Sequence, residues 1–241
     1  FIAAAASIGM MLLITIVLTG IILCAVLFMT VFLGFTGHVP ATAQLLEINN
    51  PQASEVYSEN GKLLGRYYVE NRSNVYFNDI SPNVINALIA TEDARFYEHR
   101  GIDEIALLRV IFKTIILRDR SAGGGSTLSQ QIAKNLFPRN DLGVLSLPVN
   151  KLRESIIAYR LEKIYSKEEI LTLYLNTVPF AENIFGIEIA AERFFSKAPK
   201  DLTIEEAAVL VGMLKANTLY NPRTHPEQSK ERRDIVINQM A

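Results

Sequence analysis

Charge is missing from the start of this 241-residue chain: no Lys, Arg, Asp or Glu precedes Glu47. Cysteine is nearly missing too. The single Cys24 lies inside the uncharged stretch, so the rest has neither a disulfide framework nor a cysteine-based metal site. A cysteine-free domain is compatible with an oxidising compartment. Histidine is sparse: His38, His99 and His225 are scattered and form no His-Glu-x-x-His motif, which argues against catalytic zinc. No Gly-x-Ser-x-Gly elbow occurs. Neither Ser-x-x-Lys nor Lys-Thr-Gly occurs, so these residues hold no penicillin-reactive transpeptidase. The Gly-Lys-Ser/Thr order of a P-loop is absent. With 24 basic against 25 acidic residues, nothing suggests nucleic acid. There are no repeats, no like-charge blocks and no low-complexity tract beyond Gly123-Gly124-Gly125.

What is present begins with an apolar run, Phe1 to Leu33. At ~1.5 Å per residue it reaches roughly 50 Å as a helix, more than the ~30 Å of a bilayer's hydrocarbon core. A signal-peptide apolar region is ~7–15 residues, so the run reads as a retained anchor over residues 1–36. Gly34, Gly37 and Pro40 end the helix. The first charges beyond it, Glu47, Glu55 and Glu59, fit an outer face; the positive-inside rule has no upstream flank to count.

Residues 37–80 read as a juxtamembrane linker with a short β segment. Ser54–Tyr57 and Leu63–Tyr68 are predicted strands around Asn60-Gly61, a strong hairpin signal. From Ser81 the pattern turns helical. Ser81-Pro82 starts one helix, and capping boxes at Ser166–Glu169 and Thr203–Glu206 start two more. The periodicity predicts helices near 82–91, 103–117, 127–137, 151–165, 167–176, 186–195, 203–215 and 227–240. The fold class is mainly α, with one domain over 81–241. Helix 103–117 is too short to span a bilayer and apolar on most sides, with Arg109 and Lys113 one turn apart. It is either a core helix or a helix lying in the membrane interface.

Three features carry chemistry. Ile85, Leu88 or Ile89, and Glu92 share a helical stripe, which sets a carboxylate at a helix C-terminus on an apolar face. Both surroundings raise carboxylate basicity and suit a general base, whereas a surface Glu beyond the helix end needs no role. Glu154 continues the stripe of Ile157, Leu161 and Ile164, one turn after Lys151. The two form either an i,i+3 ion pair or an active-site carboxylate held by a lysine. The Gly run and Ser126-Thr127 lead into a helix with Thr127, Gln130, Gln131 and Lys134 on a polar face. A Gly-rich turn opening a helix presents free N–H groups to an anion, although such a face can simply be solvated.

In order along the chain, these residues resemble the motifs of the family 51 peptidoglycan glycosyltransferases. Glu92-Asp93-x-x-Phe96-x-x-His99-x-Gly101 is similar to the first motif. Gly124-x-Ser126-Thr127-x-x-Gln130-Gln131-x-x-Lys134 is similar to the second. Lys151-x-x-Glu154 resembles the third, Tyr174-Leu175-Asn176 falls in the fourth, and Arg232-Arg233-x-x-Val236 in the fifth. Asn150 stands where the third motif usually has Arg, and Arg153 or Arg139 is the candidate replacement. The stretch 138–150 is longer than the family pattern.

The resemblance implies a lysozyme-like, two-lobed helical fold with a membrane-associated jaw that includes helix 103–117. It implies an enzyme of bacterial cell-wall synthesis on the outer face of the cytoplasmic membrane. The enzyme would polymerise lipid II into β-1,4 glycan with inversion and release polyprenyl pyrophosphate. Glu92 would be the base and Glu154 the second catalytic carboxylate. Asp93, Ser126, Thr127, Gln130, Gln131, Lys134, Lys151 and Asn176 would bind substrate, with Asp93 and Gln130 also as supports. Phe96, His99, Gly101, Arg232 and Arg233 would be structural. No cofactor is required by the sequence, no protein metal site is expected, and a divalent Mg or Mn with the pyrophosphate stays open. Partners would be lipid II, the lipid-linked glycan, the membrane and other cell-wall synthesis proteins. The last helix is still amphipathic at Ala241, which favours a bifunctional enzyme over a monofunctional one. A lysozyme-like lytic enzyme and a non-catalytic scaffold are the rival classes.

Overall fold

The computed structural model describes residues 2–46, 48, 54–60, 63–67, 71–72, 74–115 and 125–241. Its elements run α1 (Ile2–Phe32), α2 (Thr42–Leu46), β1 (Ser54–Tyr57), β2 (Leu63–Tyr67), β3 (Asn71–Arg72), α3 (Pro82–Glu92), α4 (Glu104–Ile115), α5 (Leu128–Leu136), α6 (Ser146–Ile164), α7 (Lys167–Thr177), β4 (Ile184–Phe185), α8 (Ile187–Phe195), α9 (Ile204–Met213) and α10 (Pro226–Met240). The mainly helical class is as expected.

Helix starts follow local chemistry. Ser81 caps α3 by accepting from the Asn83 N–H, with Pro82 in the first turn, and its Oγ donates to the Leu202 carbonyl. The capping boxes at Ser166/Glu169 and Thr203/Glu206 form as predicted. A third, Thr127/Gln130, starts α5. α6 begins at Ser146, five residues before the predicted start, because Pro148 falls in its first turn, where no intrahelical N–H is required.

α3, α9 and α10 pack together on one side, and α5, α6 and α7 on the other. One apolar core joins them, with Leu88, Leu128, Ile157, Leu171, Tyr174 and Leu210 buried in it. β1 and β2 pair antiparallel as predicted; the Gly61-Lys62 part of their turn lies outside the described residues. The parallel pairing of β3 with β4 was not predicted: two residues per strand leave no alternation to read. It ties the 37–80 segment to the region after α7.

α1 is an uncharged helix, and its Gly9–Phe32 part is long and apolar enough to cross a membrane. Near its C-terminal end Val31 is buried against Val149 and Ile156 of α6, and the Arg160 guanidinium lies 5.6 Å from the centroid of the Phe32 ring. α4 separates the two readings of helix 103–117. Among its described side chains only Ala106 is buried, while Ile105, Leu107, Leu108 and Phe112 are exposed. It is no core helix. The side chain of Lys113 and residues 116–117 lie outside the described part.

Candidate active site

The cleft lies between the two helix groups. Glu92 ends α3, and Asp93 caps it. Asp93 is buried and accepts hydrogen bonds from the Leu128 N–H at 3.0 Å and from His99 Nε2, 3.0 Å from each carboxylate oxygen. That pairing places the His99 proton on Nε2. Thr127 Oγ1 donates to the Gly101 carbonyl at 2.6 Å. Gly101 has φ +90, and a Cβ there would come within 2.8 Å of the α6 backbone at Ala158. Phe96 is buried beneath Lys167, whose Nζ sits 4.3 Å from the ring centroid and donates to the His99 carbonyl. Asp93, Phe96, His99 and Gly101 thus form a brace that fixes the end of α3 against the start of α5.

This brace corrects one expectation. The sequence reads the start of α5 as an anion site, but three of its N–H groups are taken. Leu128 N donates to Asp93, Thr127 N to Gln130 Oε1, and Gln130 N to Thr127 Oγ1. The anion at this helix N-terminus is the protein's own Asp93 carboxylate. Gly123 and Gly124 lie outside the described residues.

Positive charge instead comes from side chains. A cavity of about 630 Å³ is lined by Lys134, Arg139, Lys151, Lys215 and Arg232, against two carboxylates, Glu92 and Glu154. Glu154 is only 4% exposed. It accepts from Arg139 Nε at 2.7 Å, and Lys151 Nζ lies 3.0 Å from its other oxygen without hydrogen-bond alignment. Lys151 donates to Ser126 Oγ at 2.7 Å. Glu154 therefore forms the i,i+3 pair and also lines the cleft. Lys134 is exposed, with no hydrogen-bond or ion-pair partner among the described residues. Arg232 is buried, and its Nε has no partner.

A second cavity of about 290 Å³ adjoins the first, lined by Arg95, Asp103, Arg109 and Thr127 among others. Thr91, Glu92, Gly125, Ser126 and Gln239 border both. Glu92 thus stands on the boundary. It accepts from Gln131 Nε2 at 3.0 Å, while Gln131 Oε1 accepts from the buried Tyr174 hydroxyl at 3.0 Å. Burial pushes the Tyr174 phenol well above its ordinary pKa, and the charge of Glu92 adds to the rise.

Of the two candidate replacements for an arginine at position 150, Arg139 lines this cavity and Arg153 does not. Arg153 is spent on the His38 and Pro138 carbonyls, and burial lowers its pKa. Asn150 instead binds the Asn140 backbone through both ends of its amide. One expected substrate-binding residue is elsewhere. Asn176 is buried with its amide closed on the Val75 N–H and carbonyl, a structural clamp away from the cleft. Arg233 pairs with Asp234 at 2.6 Å and does not line the cleft, while Arg232 does. Asp93 and Gln130 act as supports; Gln130 Nε2 is held by Ser155 Oγ. Lys215 and Gln239 were missed. Lys215 follows α9 in a segment with no charge pattern, and Gln239 is one polar residue on an amphipathic helix. No group of three or more His, Cys, Asp or Glu that could hold a metal ion occurs among the described residues.

The sequence profile of the Transglycosylase family matches residues 60–241. The chain belongs to this family, the family 51 glycosyltransferases. It is 40% identical over 206 residues to penicillin-binding protein 1F of Bacillus subtilis, covering 86% of this chain and 28% of that protein. It is 38% identical to penicillin-binding protein 1A of Aquifex aeolicus, over 79% of this chain and 26% of that one. Penicillin-binding protein 1A of Vibrio cholerae is 34% identical over 91% of this chain and 26% of its own. The transglycosylase therefore spans about a quarter of the length of these relatives. A crystal structure of penicillin-binding protein 1A from Haemophilus influenzae aligns at 23% identity with a TM-score of 0.43, over 80% of this chain and 18% of that one.

Proposed function

We propose that this transglycosylase is a peptidoglycan glycosyltransferase that polymerises lipid II into β-1,4 glycan strands, with residues 81–241 as its catalytic unit. The observation that carries this is the position of Glu92 between two adjoining cavities, one of them rich in cations. A donor with a polyprenyl pyrophosphate fits the cation-lined cavity, and an acceptor disaccharide fits the other. Glu92 takes the proton from the acceptor 4-hydroxyl. The oxygen attacks the anomeric carbon with inversion, and the bond to the pyrophosphate oxygen breaks with its electron pair leaving on phosphate. Lys151, Arg139, Lys134, Lys215 and Arg232 oppose the charge that grows there. Glu154 holds Arg139 and Lys151 in position. Because Glu154 is already engaged by these two cations, the residues present do not fit a divalent ion held by the protein.

α1 crosses the bacterial cytoplasmic membrane in this reading, with the cleft on the outer face. The exposed apolar side chains of α4 lie in the interface, where the substrate's polyprenyl tail also resides. Tethering enzyme and substrate to one surface raises their effective concentration. A hydrolase of glycan would have no use for a cation-lined cavity. The experiment is Glu92→Gln assayed on lipid II by sizing the products. Polymer formation falls by ~10²–10⁴-fold, the usual range for a lost general base, while melting and binding of a lipid II analogue are kept. Near-normal turnover, or cleavage of added sacculi by the unsubstituted chain with no polymer, overturns the proposal.

A further inference from the structure

The stretch 138–150 is longer than the family pattern. Its 141–147 part forms a turn closed by hydrogen bonds among its own polar groups, with large apolar side chains exposed around it. Asp141 Oδ1 accepts from the Gly143 N–H and from Ser146 Oγ at 3.1 Å each, and Ser146 Oγ accepts from the Leu142 N–H at 2.7 Å. Gly143, at φ +59, lets the turn close. Leu142, Val144, Leu145 and Leu147 all point outward, with Val144 97% exposed. A loop bathed in water has no reason to satisfy its polar groups internally and present four large apolar side chains.

The place of this tip is fixed. The chain leaving α1 is fastened to the residues that flank the tip. Thr36 O accepts from Asn140 Nδ2 at 2.9 Å, and a Cβ on Gly37 would lie 2.0 Å from that same nitrogen. His38 O accepts from Arg153 and Pro40 O from Arg160. At ~1.5 Å per residue, the 24 residues of Gly9–Phe32 cover about 36 Å, somewhat more than a ~30 Å hydrocarbon core, so the last turn of α1 lies at the headgroup level. The tip starts two residues beyond Asn140 and shares that level.

We propose that the 142–147 tip is a second membrane contact, which inserts its four apolar side chains into the lipid bilayer beside the exit of α1. This rests on the reading that α1 crosses the membrane. The consequence is positional. α6 starts at Ser146, and Lys151 and Glu154 follow only ~7 and ~12 Å along its axis. Seating the tip therefore sets the height of the cleft's cations above the lipid surface, where the phosphates of a membrane-bound substrate lie.

The chain contains no tryptophan, so one introduced residue is a unique reporter. Val144→Trp and, separately, Leu18→Trp are placed in the full chain. Each is reconstituted in phosphatidylethanolamine–phosphatidylglycerol vesicles with acyl chains brominated at a shallow or a deep carbon. The expected result is deep quenching at position 18, with blue-shifted emission and preferential shallow quenching at position 144. Water-like, unquenched emission at 144 with quenching kept at 18 overturns the tip contact and leaves the anchor standing. Blue-shifted emission at 144 that no brominated lipid quenches means that protein, such as a second copy, covers the tip, and also overturns it. No quenching at 18 removes the anchor reading and this proposal together.

Discussion

Lys151→Gln separates electrostatic catalysis from substrate binding, because the structure isolates the charge being removed. Lys151 Nζ lies 2.7 Å from Ser126 Oγ and 3.0 Å from Glu154. Glu154 keeps its contact with Arg139 when the lysine charge goes, so no carboxylate is stranded. A unit charge ~4 Å from a phosphate oxygen is worth about 4 kcal/mol at an effective dielectric constant of ~20. Pyrophosphate is already charged in the ground state, so only part of this acts differentially; at about 2.7 kcal/mol the maximal rate falls ~10²-fold. Lys134 is exposed and better screened, and about 1 kcal/mol there is roughly a fivefold loss. Both substitutions should leave KM within about threefold, because the interaction grows as the glycosyl bond breaks. The half-exposed Lys151–Glu154 pair adds at most ~1 kcal/mol to stability, so melting moves by a few degrees at most. Steady-state rates on lipid II, paired with melting curves, decide. A raised KM with unchanged kcat assigns the lysines to uniform binding, and an unchanged kcat for both removes the leaving-group role.

Other tests follow from single contacts. Tyr174→Phe frees the Gln131 amide to turn, so Glu92 loses a donor and kcat falls ~10-fold; an unchanged kcat makes Tyr174 a packing residue only. Deleting residues 1–26 keeps Val31 and its contacts on α6, and vesicle flotation should then show weakened but persistent binding through α4 and the 142–147 tip; a wholly aqueous chain refutes the interfacial α4. Glu182 has its pKa held below the ordinary carboxylate range by its Arg193 hydrogen bond, against slight desolvation, with Asn221 and Arg223 assisting. Its contribution is present above the unfolded-state pKa and is lost as pH falls through the lower folded value. Glu182→Gln should flatten the acid side of the stability curve, and an unchanged acid-denaturation profile refutes the stabilising role of Glu182.

The helices were legible because local chemistry and tertiary burial agree in them. Ser81-Pro82, Ser166–Glu169 and Thr203–Glu206 satisfy orphan N–H groups within four residues, so a short window contains the whole signal. The early start of α6 and the β3–β4 pair were not legible. Pro148 looks like a breaker until its place in the first turn is known, and two-residue strands exist only through a partner more than a hundred positions away. α4 lay between these cases. Its sequence is apolar on most sides, which cannot distinguish a core helix from an exposed one; the exposure of Ile105, Leu108 and Phe112 does.

The cleft shows the same divide. Glu92 and Glu154 could be found as carboxylates out of place on apolar stripes, a mismatch visible in one helix at a time. Lys134, Lys151 and Arg139 could be named as candidates, but not that Lys215 and Arg232 join them, because those two come from the far end of the chain and converge with the others only in the fold. The Gly-rich turn misled for a related reason. Seen alone, the start of α5 offers free N–H groups. The groups that claim them are Asp93, 35 positions away, and Gln130 and Thr127 of its own capping box. Asp93 does more than remove an anion site. By occupying that helix end, its carboxylate leaves the side-chain cations beyond Ser126 as the surface for a phosphate in the proposed reaction. The adjacent acidic pair of the first motif thus divides its work between two sides of one turn. Asp93 closes the helix N-terminus, and Glu92, one residue earlier, faces the boundary between the cavities.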